Sequence, residues 1–116
     1  MSRIFLACLA LASLPAFAAG VGKPGPFTHQ LAPGEIVEDC VALKAGQSRG
    51  FDWTSDAPVD FNIHWHEGDK VEYPVDIKRH WKGRGEFTAD RDNDYCWMWT
   101  GLATKAVVKG AFKPVR

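Results

Sequence analysis

Residues 59–66 read VDFNIHWH, and two imidazoles stand two positions apart in that run. On a strand, alternate residues share a face at a spacing of about 7 Å. His64 and His66 can therefore converge on one ion, held at about 2.0 Å by a nitrogen from each ring. Two ligands make a weak site, so a third is expected from His80, Glu67, Glu72 or Met98. Imidazoles with a thioether suit copper, and imidazoles with a carboxylate suit zinc. The same spacing also arises on the wet face of a strand that binds nothing.

A second cluster, KRHWKGR at residues 78–84, sets Lys78, Arg79 and Lys82 around His80 and Trp81. A basic turn with one indole can rest on an anionic lipid head group or on a phosphorylated glycan. A solvated hairpin tip, with Trp81 folded back on the domain, accounts for the same residues. DRDND at 90–94 alternates carboxylates, but a calcium loop of the helix-loop-helix kind needs glycine sixth and glutamate twelfth, where Tyr95 and Gly101 stand. It reads as a turn. Trp53, Trp65, Trp97 and Trp99 could line a groove, although alternating aromatics in a small β domain more often form its core. Both late cysteines are expected to be oxidised, and the sequence has neither a Gly-x-Ser-x-Gly elbow nor a phosphate-cradling glycine loop, so catalysis is not expected.

The elements that must carry these groups are strands. EIVEDCVAL (35–43), GFDWT (50–54), VDFNIHWH (59–66) and KVEYPVDI (70–77) place apolar residues mostly on one parity. GEFTA (85–89), DYCWMWT (94–100) and TKAVVKGAF (104–112) continue the series, each bounded by Gly, Pro, Asp or Asn. No stretch sustains a helical stripe. About seven short strands predict an all-β fold, a small β-sandwich of jelly-roll type occupying residues 35–116. Pro74 cannot donate to a ladder, which predicts an edge strand or a bulge there. Residues 94–100 are apolar on both faces, as befits a central strand.

The first 18 residues have the layout of a secretory signal peptide: Arg3, an apolar run from Ile4 to Leu14, then Ala16-Phe17-Ala18. Residues 19–34 follow as a Gly/Pro-rich, flexible lead-in without periodicity. No later segment is apolar enough to span a membrane, and a periplasmic or secreted location is expected. Cleavage removes Cys8 and leaves Cys40 and Cys96, an even pair in an oxidising compartment. One disulfide is expected; closing a loop of about 57 residues contributes roughly 4 kcal/mol in the chain-entropy picture. With 14 basic and 14 acidic residues in the 116, nucleic-acid binding is not expected. A hydrophobic fraction of 46% with five tryptophans points to a packed core.

The order of these strands resembles the GOLD domain of emp24/p24-type trafficking proteins. A cysteine on an early strand, VDFNI, GEFTA, YCWMW and a last alternating strand carry the resemblance from about Glu38 to Phe112. It implies a sandwich tied by a disulfide between Cys40 and Cys96, which binds a protein or lipid without catalysis. The sequence shows no coiled coil and no transmembrane tail, so a cargo-receptor role does not carry over. The expectation is an exported binding module, with copper or zinc on His64, His66 and His80. Its rival is a scaffold that meets an envelope protein or lipid through Lys78, Arg79, Trp81 and Lys82.

Overall fold

In a computed structural model residues 23–116 are described, so the signal-peptide segment and Cys8 lie outside the described residues. Within them the chain is all-β. Six strands run β1 (Gly25–Leu31), β2 (Ile36–Leu43), β3 (Ser48–Glu67), β4 (Lys70–Thr88), β5 (Asn93–Gly101) and β6 (Ala106–Phe112). Every pairing is antiparallel, in the order β1-β6-β3-β5-β2, with β4 on the other side of β3. No helix among the described residues is long and apolar enough to cross a membrane.

The strand count of six, against about seven expected, has a specific origin. GFDWT and VDFNIHWH are one strand, β3, and KVEYPVDI and all of GEFTA but Ala89 belong to β4. Turn residues in between are absorbed as irregularities. Thr54 pairs Lys82 and Val59 pairs His80, so residues 55–58 of β3 face Trp81 alone. Extra residues on one strand bend it and increase its twist. At this bend β3 changes neighbour: Ser55 is its last partner for β6, opposite Val108, and Val59 its first for β5, opposite Gly101.

A correction applies to the lead-in. Residues 25–31, expected to be loose, form β1 and pair with β6 from Gly25↔Phe112 to Leu31↔Ala106. The segment GPFTHQL does alternate in burial, with Phe27, His29 and Leu31 turned inward. Its neighbouring glycines and prolines masked that period. Pro74 lies where the expectation put it: β4 pairs only with β3, and the register slips opposite Pro74, between Ile63 and Trp65.

The sheet curls into two layers that share the long β3-β4 hairpin. One layer holds β1, β6, the start of β3 and the end of β4; the other holds β2, β5, the end of β3 and the start of β4. Aromatic rings fill the space between them. Trp99 of β5 meets Phe27 of β1 at 5.2 Å and Trp53 of β3 edge-on at 6.4 Å, while Trp97 meets Phe112 of β6 at 5.8 Å. Trp53, Trp65, Trp97 and Trp99 are all buried, so these four belong to the core, with only edges of Trp53 and Trp65 reaching surface clefts.

One cation shares that interior. Arg49 is fully buried, donates from Nη2 to Oδ1 of Asp39 at 2.9 Å, and stacks its guanidinium 3.4 Å above the Phe112 ring. Nothing in its sequence surroundings, QSRGF, announces a core position.

Candidate metal centre

Pleating of β3 sends Val59, Phe61, Ile63 and Trp65 into the core. The opposite parity, Asn62, His64 and His66, faces outward from the second layer. Register then brings other strands' residues beside them. Cys96 of β5 lies opposite His64 on one side and Cys40 of β2 on the other. Met98 lies opposite Asn62 and Glu38 in the same way. The Cys40–Cys96 disulfide forms as expected, and joins adjacent strands of one layer on this outer face.

His64 is the centre of the group. Although it points outward, its neighbours leave it only 5% exposed. Nδ1 lies 2.7 Å from Oδ1 of Asn62, itself only 8% exposed. With Oδ1 of Asn62 as the acceptor, the matching tautomer is the one that donates from Nδ1. In the neutral ring the lone pair is then on Nε2, which lies 3.4 Å from Oε1 of Glu38. Burial pushes the His64 pKa below its ordinary value; the Glu38 carboxylate opposes that shift, and His66 adds to it. A neutral imidazole therefore presents a lone pair to a carboxylate.

Two acceptors at that distance repel unless a positive charge sits between them. Metal bonds of about 2.0–2.1 Å from each atom, drawn across 3.4 Å, enclose an angle of about 110°, near the tetrahedral value. The Asn62 bond fixes ring orientation and tautomer, as second-layer partners of metal-bound histidines do. The His66 ring stands edge-on to His64 at 5.3 Å between centroids and is exposed, within reach as a further ligand. Tyr73 of β4 covers the other side of His64 at 5.7 Å.

Of the expected ligands, the fold brings together His64 and His66, with Met98 beside Asn62. His80 is placed elsewhere. It lies opposite Val59 on β4 and lines a cleft of about 570 Å³ with Asp52, Trp53, Thr54, Lys82, Gly83 and Arg84. Glu67 approaches Arg91 at 3.4 Å, and Glu72 lies opposite Trp65, which is inward. Glu38 is the candidate donor that sequence reasoning missed. It shares a parity with Cys40 within EIVEDCVAL, but only the β2-β5-β3 register sets it beside His64.

The basic cluster is no hairpin tip; it lies mid-way along β4, where the strand passes from one layer to the other. Arg79 has a positive φ of 53°, and its backbone N–H donates to Oδ1 of Asp60 at 2.8 Å. Lys78 pairs with Asp76 at 3.3 Å, both exposed. Trp81 is not folded back: half of it is exposed, with its ring edge-on to His80. Of DRDND, residues 90–92 make the bend into β5, where Asp92 accepts from the backbone N–H of Ala45 and Asp90 pairs with Arg91, and Asn93 and Asp94 already belong to β5.

The chain matches no protein-family model and no curated protein sequence.

Proposed function

We propose that the protein is an exported, non-enzymatic binding module that holds a transition metal ion, zinc or copper, on the outer face of its second layer. His64 Nε2 and a Glu38 oxygen are the primary donors, with His66 as the third. The observation that carries this reading is the Nε2 lone pair held 3.4 Å from a carboxylate oxygen, in a ring whose burial disfavours the proton that would otherwise bridge them. Nitrogen and oxygen donors suit zinc, and the nearby Met98 thioether widens the choice to copper. The disulfide and the small all-β domain support export, and the strand-borne cysteines fit a GOLD-like sandwich.

Calorimetric titration of the purified protein with zinc(II) and copper(II) tests this. One saturable site is expected, weakened sharply by His64→Ala with His66→Ala. Unchanged affinity in the double variant removes the metal reading.

A second reading has its own observation, the half-exposed Trp81 among Lys78, Arg79 and Lys82. An apolar ring in a basic surround suits an anionic lipid or an acidic envelope protein. Binding to anionic vesicles that fades with salt and with Trp81→Ala supports this reading; salt-insensitive or absent binding opposes it.

A further inference from the structure

Cys96 stands in the middle of a row that crosses three strands. It lies between Cys40 of β2 and His64 of β3. Its Sγ, a ring nitrogen of His64 and a carboxylate oxygen of Glu38 all lie within 4.8 Å of one another. In the oxidised protein this sulfur is bonded to Cys40 and carries no thiolate charge for a metal. Cys40 is the more exposed of the two cysteines, and attack is assigned to its side of the bond.

We propose that opening the Cys40–Cys96 disulfide turns this face into a second and tighter site for a thiophilic ion, zinc(II) or copper(I), with Cys96, Cys40, His64 and Glu38 as donors. The proposal rests on the reading of His64 and Glu38 as metal ligands and adds the control of that site. A dithiol reductant attacks Sγ of Cys40 as a thiolate. The S–S bond breaks, and Cys96 leaves with the electron pair, as a thiolate beside His64. The second thiol of the reductant then attacks the mixed disulfide and releases Cys40. Two electrons pass to the cysteines, the reductant becomes a disulfide, and its two protons go to the new thiols, or to solvent when a metal takes the thiolates.

The geometry asks for little movement. Bonds of about 2.3 Å to sulfur and 2.0 Å to nitrogen place tetrahedral ligand atoms about 3.5 Å apart. Cys96 Sγ, the His64 nitrogen and the Glu38 oxygen, already within 4.8 Å of one another, need to close by about 1 Å, while Cys40 Sγ, 2.05 Å from Cys96 Sγ in the disulfide, swings apart from it; side-chain rotation supplies both movements. Two thiolates replace His66 in the ligand set and shift the preference toward soft ions. An ion held by the two thiolates and the disulfide exclude each other, so that ion also shields both sulfurs from reoxidation.

The test is zinc competition against a chromophoric chelator, with the protein oxidised and then reduced by a phosphine. The reduced protein should bind at least about 100-fold more tightly. Its thiols should resist an aromatic disulfide reagent when zinc is present, and His64→Ala should lose both effects while His80→Ala keeps them. Equal affinity in the two states, or thiols that react as fast with zinc as without it, overturns the proposal. If reduction unfolds the sheet, His64 still decides: a chain holding zinc through cysteines alone is indifferent to His64→Ala, and that indifference also overturns it. Zinc bound only by the reduced protein sinks the oxidised-state reading and leaves the thiolate site standing; zinc bound equally by both does the reverse.

Discussion

Nε2 of His64 and Oε1 of Glu38 face each other at 3.4 Å across the outer surface of β3, β5 and β2. The imidazole is nearly enclosed and the carboxylate is partly open to solvent. This pairing is poised between three states: a bridging proton, a bridging metal, or two mutually repelling acceptors.

Acid should weaken the fold. Burial lowers the pKa values of both His64 and His29 from the ordinary 6.5, so the unfolded chain takes up protons before the folded one does. The stability held by the neutral rings is complete above about pH 6.5 and is lost as pH falls from there through the lowered folded values. Urea midpoints measured from pH 7.5 to 5 should decline, and His64→Gln should flatten the decline. A midpoint that rises on acidification in that window contradicts the burial argument.

The interlayer ion pair makes an asymmetric prediction. Removing the carboxylate in Asp39→Ala strands the buried guanidinium of Arg49 and should destabilise the domain by about 2–4 kcal/mol, a little below the usual range because the Asp39 side chain is one quarter exposed. Arg49→Met with Asp39→Leu keeps volume between Trp97 and Phe112 without an ion to desolvate, and should cost less than the single change. Chemical denaturation of the two variants settles the order.

Gly110 of β6 lies opposite Trp53 of β3. A Cβ there would press into the backbone carbonyl of Asp52 and come within 2.7 Å of the Phe27 ring, and a backbone atom cannot rotate away. Gly110→Ala should therefore lower the thermal midpoint by several degrees or prevent folding, a loss of about 2 kcal/mol or more. Gly85→Ala meets only ordinary contact with Phe51 and should be nearly neutral.

Much of this architecture was legible as period-two alternation, because burial on one face leaves that trace in every strand. All seven expected runs fall on strands for most of their length, with overhangs only at Glu35, Ala89, Thr104 and Lys105. The lost distinction was between a turn and a bulge. Residues 55–58, with Pro58, and the run around Arg79 carry turn chemistry, yet in the fold they bend long strands without ending them. β1 was hidden by Gly25 and Pro26, which suit a strand at the sheet's edge as well as a loop.

At the site, His64 and His66 could be read from spacing within one strand, since parity needs no knowledge of partners. Glu38 and the place of Cys96 could not. Both depend on which strands are neighbours and in what register, and β2 reaches β3 only through β5. His80 was assigned by residue type alone, and the bend in β4 carries it to another surface.

Long-range proton-nitrogen NMR of the imidazole rings, followed as zinc is added to the oxidised protein at pH 7, tests the central claim most directly. The account predicts a neutral His64 with its proton on Nδ1 before zinc, and a large shift of its Nε2 resonance on addition, while His80 and His29 stay fixed. A His64 that is already an imidazolium paired with Glu38, and whose nitrogens ignore zinc, would contradict it.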